Sequence, residues 1–344
     1  MNNLTEYTLN FMEEILNIPS PAGDTGICMK RIEKEFEALG YVVEKSKKDS
    51  LYVTIKGEDD EHHKMIVGHV DTLGAIVKEV KPNGRLKLAQ IGGFSWASLE
   101  GENVLVHTDT GKQISGSILP TKASIHIYSD EVRVMERTDD TVEVRIDEFT
   151  KSKEETKALG IKVGDFVSFE PRHVQCDNGF IKSRHIDDKS AVAMILGICK
   201  YIKDEKITPK YTTHFNISNY EEVGHGVSYL PEKTDELLAI DIGLVGPNQE
   251  SRETSVCIAA KDSRTPYDFK LRKKLSDICE KNGIEYNVDV YNRYGSDASV
   301  GVLQGLNVNF ACVGPGVDAT HHYERTHVHA IENTMALLIK YAIQ

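Results

Sequence analysis

Five short pieces of the sequence gather residues whose chemistry is proton transfer or cation binding: Gly68-His69-Val70-Asp71, His185-Ile186-Asp187-Asp188-Lys189, Tyr220-Glu221-Glu222-Val223-Gly224, Ala239-Ile240-Asp241-Ile242-Gly243 and Thr320-His321-His322-Tyr323-Glu324. His69 and Asp71 stand two apart on a run that reads as a strand, so both side chains leave the same face. That spacing suits a ligating imidazole whose second ring nitrogen is held by a carboxylate. Asp187 and Asp188 open a helical pattern, where one carboxylate can enter a cleft while the other caps the helix. Glu221 and Glu222 follow an apolar strand and precede Gly224, so a turning backbone can send both side chains to one cavity. Asp241 closes the apolar run Leu237-Leu238-Ala239-Ile240, and a carboxylate embedded there must be paired or coordinated. Residues 320–329 hold four of the thirteen histidines. Each piece alone has an ordinary structural explanation: a strand-end polar pair, a helix cap, exposed charge. Together they supply the mixed nitrogen and oxygen set that zinc, cobalt or manganese accepts.

Elements must bring these pieces together. Apolar residues recur at helical spacing over 4–16 and 25–39, separated by the breaker run Pro19-Ser20-Pro21-Ala22-Gly23. Strands are expected at 41–44, 51–55 and 65–70, the last nearly all apolar, as a buried central strand would be. From about 73 to 173 the texture changes to short alternating runs at 75–80, 85–88, 103–107, 141–146 and 165–169, which predict an inserted small β-barrel or sandwich. A helix at 188–201, strands at 211–218 and 236–241, and a helix at 266–281 follow, then alternating strands and helices. Ser296 and Asp297 read as the cap of a helix beginning near 298. This order predicts an α/β fold, a mixed sheet flanked by helices: a catalytic domain of residues 1–73 and 174–344, interrupted by a β domain of residues 74–173. Every chemistry-bearing piece then falls at a strand end or turn, where open α/β sheets place their ligands.

Composition narrows the function. A net charge of −12 argues against nucleic-acid partners, which are bound through clustered Lys and Arg. The opening residues mix acidic with apolar side chains and do not read as a signal peptide, and no stretch reaches the length of a membrane span. Six scattered cysteines without a C-x-x-C pair disfavour a thiolate zinc site and a disulfide framework, so a cytoplasmic protein with reduced thiols is expected.

The order GHVD, IDDK, EEVG, the AIDIG aspartate and a late histidine, with a β insertion after the first motif, resembles the tetrahedral (TET) aminopeptidase family, also called the glutamyl or deblocking aminopeptidase family. The similarity extends to IGGFSWASLEGENVLVHT, IKVGDFVSFEP and KDSRTPYDFKL, and so covers nearly the whole chain. It implies a zinc-peptidase-like catalytic domain that removes N-terminal residues from short peptides with two divalent metal ions per subunit, zinc or cobalt, with manganese as an alternative. It further implies that Asp187 bridges the two metals, His69 and Asp241 complete one site, and Glu222 and a histidine of the His321-His322 pair complete the other. Glu221 would be the general base, with Asp71 the carboxylate behind His69, and the Asp187–Asp188 peptide would be cis. The family's last motif usually reads as a histidine with a glutamate four residues later. Here Glu324 lies three after His321 and two after His322, and His321 is the preferred ligand. The insertion resembles the family's assembly domain, implying a homo-oligomer, a dodecamer built from dimers. Two other readings share parts of the pattern: a metal-dependent deacylase or amidase acting on small N-acyl compounds, and a glucanase, which leaves the histidines unexplained. Arg252, Lys261, Arg264 and Arg293 are cations that a pocket for acidic residues would use, although solvated surface is the ordinary place for each.

Overall fold

The computed structural model describes residues 3–344. The helix Asn3–Leu16 buries Leu9, Phe11, Met12, Ile15 and Leu16, and the breaker run turns the chain into the helix Gly26–Ala38. Strands β1 (Val43–Lys45), β2 (Leu51–Ile55) and β3 (Asp59–His69) follow. β3 starts earlier than the apolar run predicts, because its first residues are polar and only its last seven are buried.

The chain then leaves the sheet for β4 (Gly74–Val80), β5 (Leu86–Ile91), β6 (Asn103–His107), β7 (Gln113–Pro120), β8 (Val142–Ile146) and β9 (Phe166–Phe169). These close into a barrel in the order β4-β5-β8-β7-β6-β9. Closure removes the free edges and encloses Val77, Leu86, Val106, Ile118, Val144 and Val167, all fully buried. β7 escapes the alternating runs read from sequence. Ser115, Gly116 and Ser117 dilute its pattern, yet Ile114, Gly116, Ile118 and Pro120 all face inward and are buried.

The chain returns through β10 (Val174–Gln175) and β11 (Phe180–Ser183), the helix Ile186–Asp204, β12 (Tyr211–Ser218), β13 (Thr234–Ile240), β14 (Gly243–Val245) and β15 (Val256–Lys261). The helix Phe269–Asn282, β16 (Tyr286–Val290), the helix Asp297–Leu303, β17 (Asn309–Asp318), β18 (Glu324–His327) and the helix Val328–Ile343 complete it. The helix Phe269–Asn282 starts later than expected because the Asp268 carboxylate accepts the Leu271 N–H at 2.7 Å and caps it there.

Among the described residues twelve strands form one mixed sheet along the path β1-β2-β12-β3-β13-β17-β18-β11-β10, with β14, β15 and β16 paired beside it. β12, β3, β13 and β17 run parallel, with Ser218 opposite His69 and Ile240 opposite Val313. The helix Ile186–Asp204 packs on β3 and on the helix Asn3–Leu16. Gly68 permits this approach, since a Cβ there would come within 2.6 Å of the Ala191 Cβ. All six cysteines are free. Among the described residues no helix is long and apolar enough to cross a membrane.

Candidate metal centre

The carboxyl ends of the parallel strands converge where the sheet meets the barrel. His69 ends β3, Asp241 follows β13, and Glu221 and Glu222 occupy the turn after β12. Asp187 is central: its Oδ1 lies 3.2 Å from His69 Nε2 and its Oδ2 lies 3.4 Å from His321 Nε2. Two triads result, His69 with Asp187 and Asp241, and Asp187 with Glu222 and His321, each with its donor atoms within 4.8 Å of one another. Glu221 belongs to neither triad, although its Oε2 stands 3.7 Å from His69 Nε2.

The supports of these side chains differ in part from those expected. His69 Nδ1 is held at 2.9 Å by the backbone carbonyl of Asp71, while the Asp71 carboxylate stays 3.7 Å away. That carboxylate instead accepts the N–H groups of Glu221 and Glu222, both at 3.1 Å, so it organises the glutamate turn rather than orienting the imidazole. Asp188 does not cap its helix either; its Oδ2 accepts the His69 N–H at 3.3 Å. The Asp187–Asp188 peptide is cis, as the resemblance implies, and both residues have non-helical dihedrals.

At the other end of the chain, His321 reaches the cluster. The ring of His322 turns back to accept the Tyr323 N–H at 2.7 Å. Glu324, read from sequence only as a motif marker, ties the two ends together: it accepts the Asp187 N–H at 3.1 Å and the His321 N–H at 3.2 Å. Thr320 Oγ1 donates to Asp187 Oδ2 at 3.1 Å. Sequence reasoning missed two further supports. The Gly93 carbonyl, on the barrel's β5–β6 connection, lies 2.5 Å from His321 Nδ1. Buried Arg184 joins barrel and site, donating to Glu102, to the Ser98 carbonyl and to the His322 carbonyl. A backbone carbonyl and an ion pair spanning 82 positions leave no local pattern to read.

The electrostatics call for positive charge. Burial pushes the Asp241 carboxyl up to about 8, with Asp187 adding to the rise and His69 opposing it. Burial also takes Glu222 to about 8, opposed by His321 and reinforced by Asp187. Burial lifts Glu221 well above the carboxylate range, with Asp241, Asp297 and Glu222 adding to it and His69 opposing. Burial raises Asp187 too, but hydrogen bonds from His321 and His69 outweigh it and hold this carboxyl below its ordinary value. Glu222 Oε1 is buried without a protein partner. Crowded desolvated carboxylates, two imidazoles with inward nitrogens and an orphaned acceptor suit divalent cations, so the donor set fits them. The triads open into a cavity of about 1080 Å³ walled by Phe94 of the barrel, Glu221, Glu222, Asp241, Tyr294, Arg264, Arg293 and His321. Arg252 and Lys261 do not line it. His225 stacks on Tyr220, outside that wall.

A mixed α/β sheet carrying two imidazole–carboxylate triads around one shared aspartate, with an inserted barrel over them, defines a metal-dependent peptidase. Residues 49–337 match the family described as M42 glutamyl aminopeptidase. The chain is 44% identical over 335 residues to "Putative aminopeptidase YhfE" of Bacillus subtilis (strain 168), covering 97% of this chain and 96% of that protein. Its fold matches a TET aminopeptidase from Thaumarchaeota archaeon SCGC AB-539-E09 with a TM-score of 0.88 at 19% identity, over 98% of this chain and 97% of that one. It also matches the Pyrococcus horikoshii TET1 peptidase with a TM-score of 0.85 at 23% identity, over 98% and 99%. The chain belongs to the M42 glutamyl aminopeptidase family and is a metal-dependent aminopeptidase, a hydrolase of peptide bonds.

Proposed function

We propose that this aminopeptidase removes N-terminal residues from short peptides with two divalent cations per chain. His69, Asp187 and Asp241 would hold one, and Asp187, Glu222 and His321 the other. Zinc or cobalt suits these donors, with manganese as an alternative. The observation that carries the reading is the division of Asp187, one carboxylate oxygen turned to His69 and the other to His321. Such cations, when bound, lower the pKa of water and polarise a carbonyl.

The chain's own residues do the rest. Glu221 lies outside both triads and is therefore the general base, taking a proton from the attacking water and delivering it to the leaving amine, which a carboxylate engaged as a ligand could not do. Asp71 serves that step by anchoring the peptide groups of both glutamates. Glu221, Glu222 and Asp241 form an acidic wall, and the free amine of a substrate, once deprotonated, would coordinate one of the cations or meet a carboxylate of this wall, so that the site would count from the N-terminus. The inserted residues 74–173 would serve assembly: Ile127, Val134 and Phe149 expose apolar side chains there, surface that a second copy would cover. The P. horikoshii TET1 peptidase is described as assembling into a tetrahedron or a large octahedral shell. We read this chain as a dodecamer built from dimers. Its free, mostly buried cysteines suit a cytoplasmic protein.

The test is a metal-titrated screen of aminoacyl-anilides beside their N-acetyl counterparts. Cleavage of the free-amine substrates, lost on chelation and restored by added metal, is expected. Hydrolysis of only the blocked compounds would overturn the assignment in favour of a deacylase.

A further inference from the structure

We infer that Asp297 is a positioning residue for the Glu221–Glu222 turn, tying down both ends of the segment that carries the base and a metal ligand. The inference rests on the role given to Glu221 above. Ser296, not Asp297, caps the helix Asp297–Leu303: its hydroxyl accepts the Ser299 N–H, and Ser299 Oγ accepts the Ser296 N–H in return. The Asp297 carboxylate is thus released from capping, yet the residue is only 4% exposed.

Its two oxygens go to the two ends of one loop. Oδ2 accepts the hydroxyl of Ser218, the last residue of β12, and Oδ1 accepts the Val227 N–H at 2.7 Å. Residues 219–226 between them form the turn that presents Glu221 and Glu222. Asp71 holds the middle of the same turn through the two glutamate N–H groups. Lys48 closes it from outside, donating to the carbonyls of His225 and Gly226. The turn needs such fastening, because Tyr220 and Gly224 have φ of 73° and 81° and Tyr220 gains nothing intrinsic from that conformation. Gly226 completes the fit, since a Cβ there would run into the Asp297 carboxylate. An ionisable group costs stability in a buried wall, so its retention there is explained by what it holds.

The experiment compares two replacements at one position in the metal-loaded enzyme. Asp297→Ala cuts both ties, and kcat should fall about thirtyfold with KM within about twofold, because small misplacements of catalytic groups cost up to about a hundredfold. Asp297→Asn can keep both ties, its carbonyl taking the Val227 N–H and its amide reaching Ser218 Oγ, and should stay within about threefold of the parent. Ser218→Ala removes one tie and should lose about fivefold. Hydrogen exchange followed by mass spectrometry should show faster exchange over 219–227 in Asp297→Ala, with β3 and the helix Val328–Ile343 unchanged. A kcat for Asp297→Ala within about threefold of the parent overturns the inference. So does an Asp297→Asn enzyme as slow as the alanine variant, which would assign the effect to charge, and so does exchange that quickens across the whole sheet. Should Asp297→Ala fail to fold, Ser218→Ala decides, and parental turnover in that variant overturns the inference. Glu221→Gln, measured alongside, separates the two claims: turnover retained there sinks the base assignment and leaves Asp297 to be judged by exchange alone.

Discussion

His69 and His321 turn the same ring nitrogen toward one carboxylate, yet they arrive by different means. The His69 side chain is 2% exposed and sits on the last position of a central strand, fixed by register with Ser218, and its triad partner Asp241 lies where Gly314 of β17 leaves room for its backbone. The His321 side chain is 38% exposed and rides a loop fastened by Glu324 and by a carbonyl lent by the barrel. The inner triad is therefore a product of the main core, and folding the sheet builds it. The outer triad depends on two turns and on the inserted domain. Affinity and exchange at the two positions should separate accordingly, the outer ion being the labile one.

The largest effect should come from the group both halves serve. Glu221→Gln should lower kcat by about two to four powers of ten while elemental analysis still finds the parental metal content. Loss of metal along with turnover would make Glu221 a ligand and erase its distinction from Glu222. Next, His321→Ala should lower activity by about a hundredfold and keep one tightly held ion per chain, whereas Asp241→Asn should weaken the inner ion. In the parent, a dilute chelator should then release metal in two phases, and a single phase would mean that the halves are not distinct. A smaller change is expected for Glu324→Gln, which loosens the tie between Asp187 and His321 without removing a ligand: about a tenfold weaker outer ion by competition with a fluorescent chelator.

How much of this was legible in the sequence follows the same division. The residues of the inner triad could be singled out because His69 and Asp241 end apolar runs, and polar residues in such runs must have partners. Asp187 and the glutamate pair became readable through their order along the chain. The supports were not. Asp71 was expected to hold the His69 ring and instead holds the Glu221 and Glu222 amides, a choice made by where the turn passes in space. Asp188 resembled a helix cap because composition cannot show that His69 N–H lies within its reach. The fold was legible where periodicity is strong, as in the helix Asn3–Leu16 and β12, and was lost in β7, where Gly and Ser on the strand weaken the alternation.

A prediction about stability rather than catalysis concerns the middle of β12, away from the triads. His214 meets Thr54 and His63, both at 2.9 Å, and burial holds its pKa down at about 4, with His63 and Lys56 adding to the fall and Asp60 opposing it. An unfolded histidine titrates near 6.5, so between about 6.5 and 4 the unfolded chain binds the extra proton and stability falls as pH drops. The loss should approach about 2 kcal/mol after allowance for solvent screening. Urea unfolding of the metal-free protein at pH 7.5 and 4.5 checks it, and His214→Asn should show a shallower dependence. An equal slope in the two proteins would remove His214 as the cause.

Central to all of this is one carboxylate serving two cations. Anomalous diffraction from crystals of the zinc- or cobalt-loaded protein tests it most directly. Two peaks are predicted, one bounded by His69, Asp187 and Asp241 and one by Asp187, Glu222 and His321, with an Asp187 oxygen on each. A single peak, or a second one coordinated by His322 with Asp187 turned away, would contradict it.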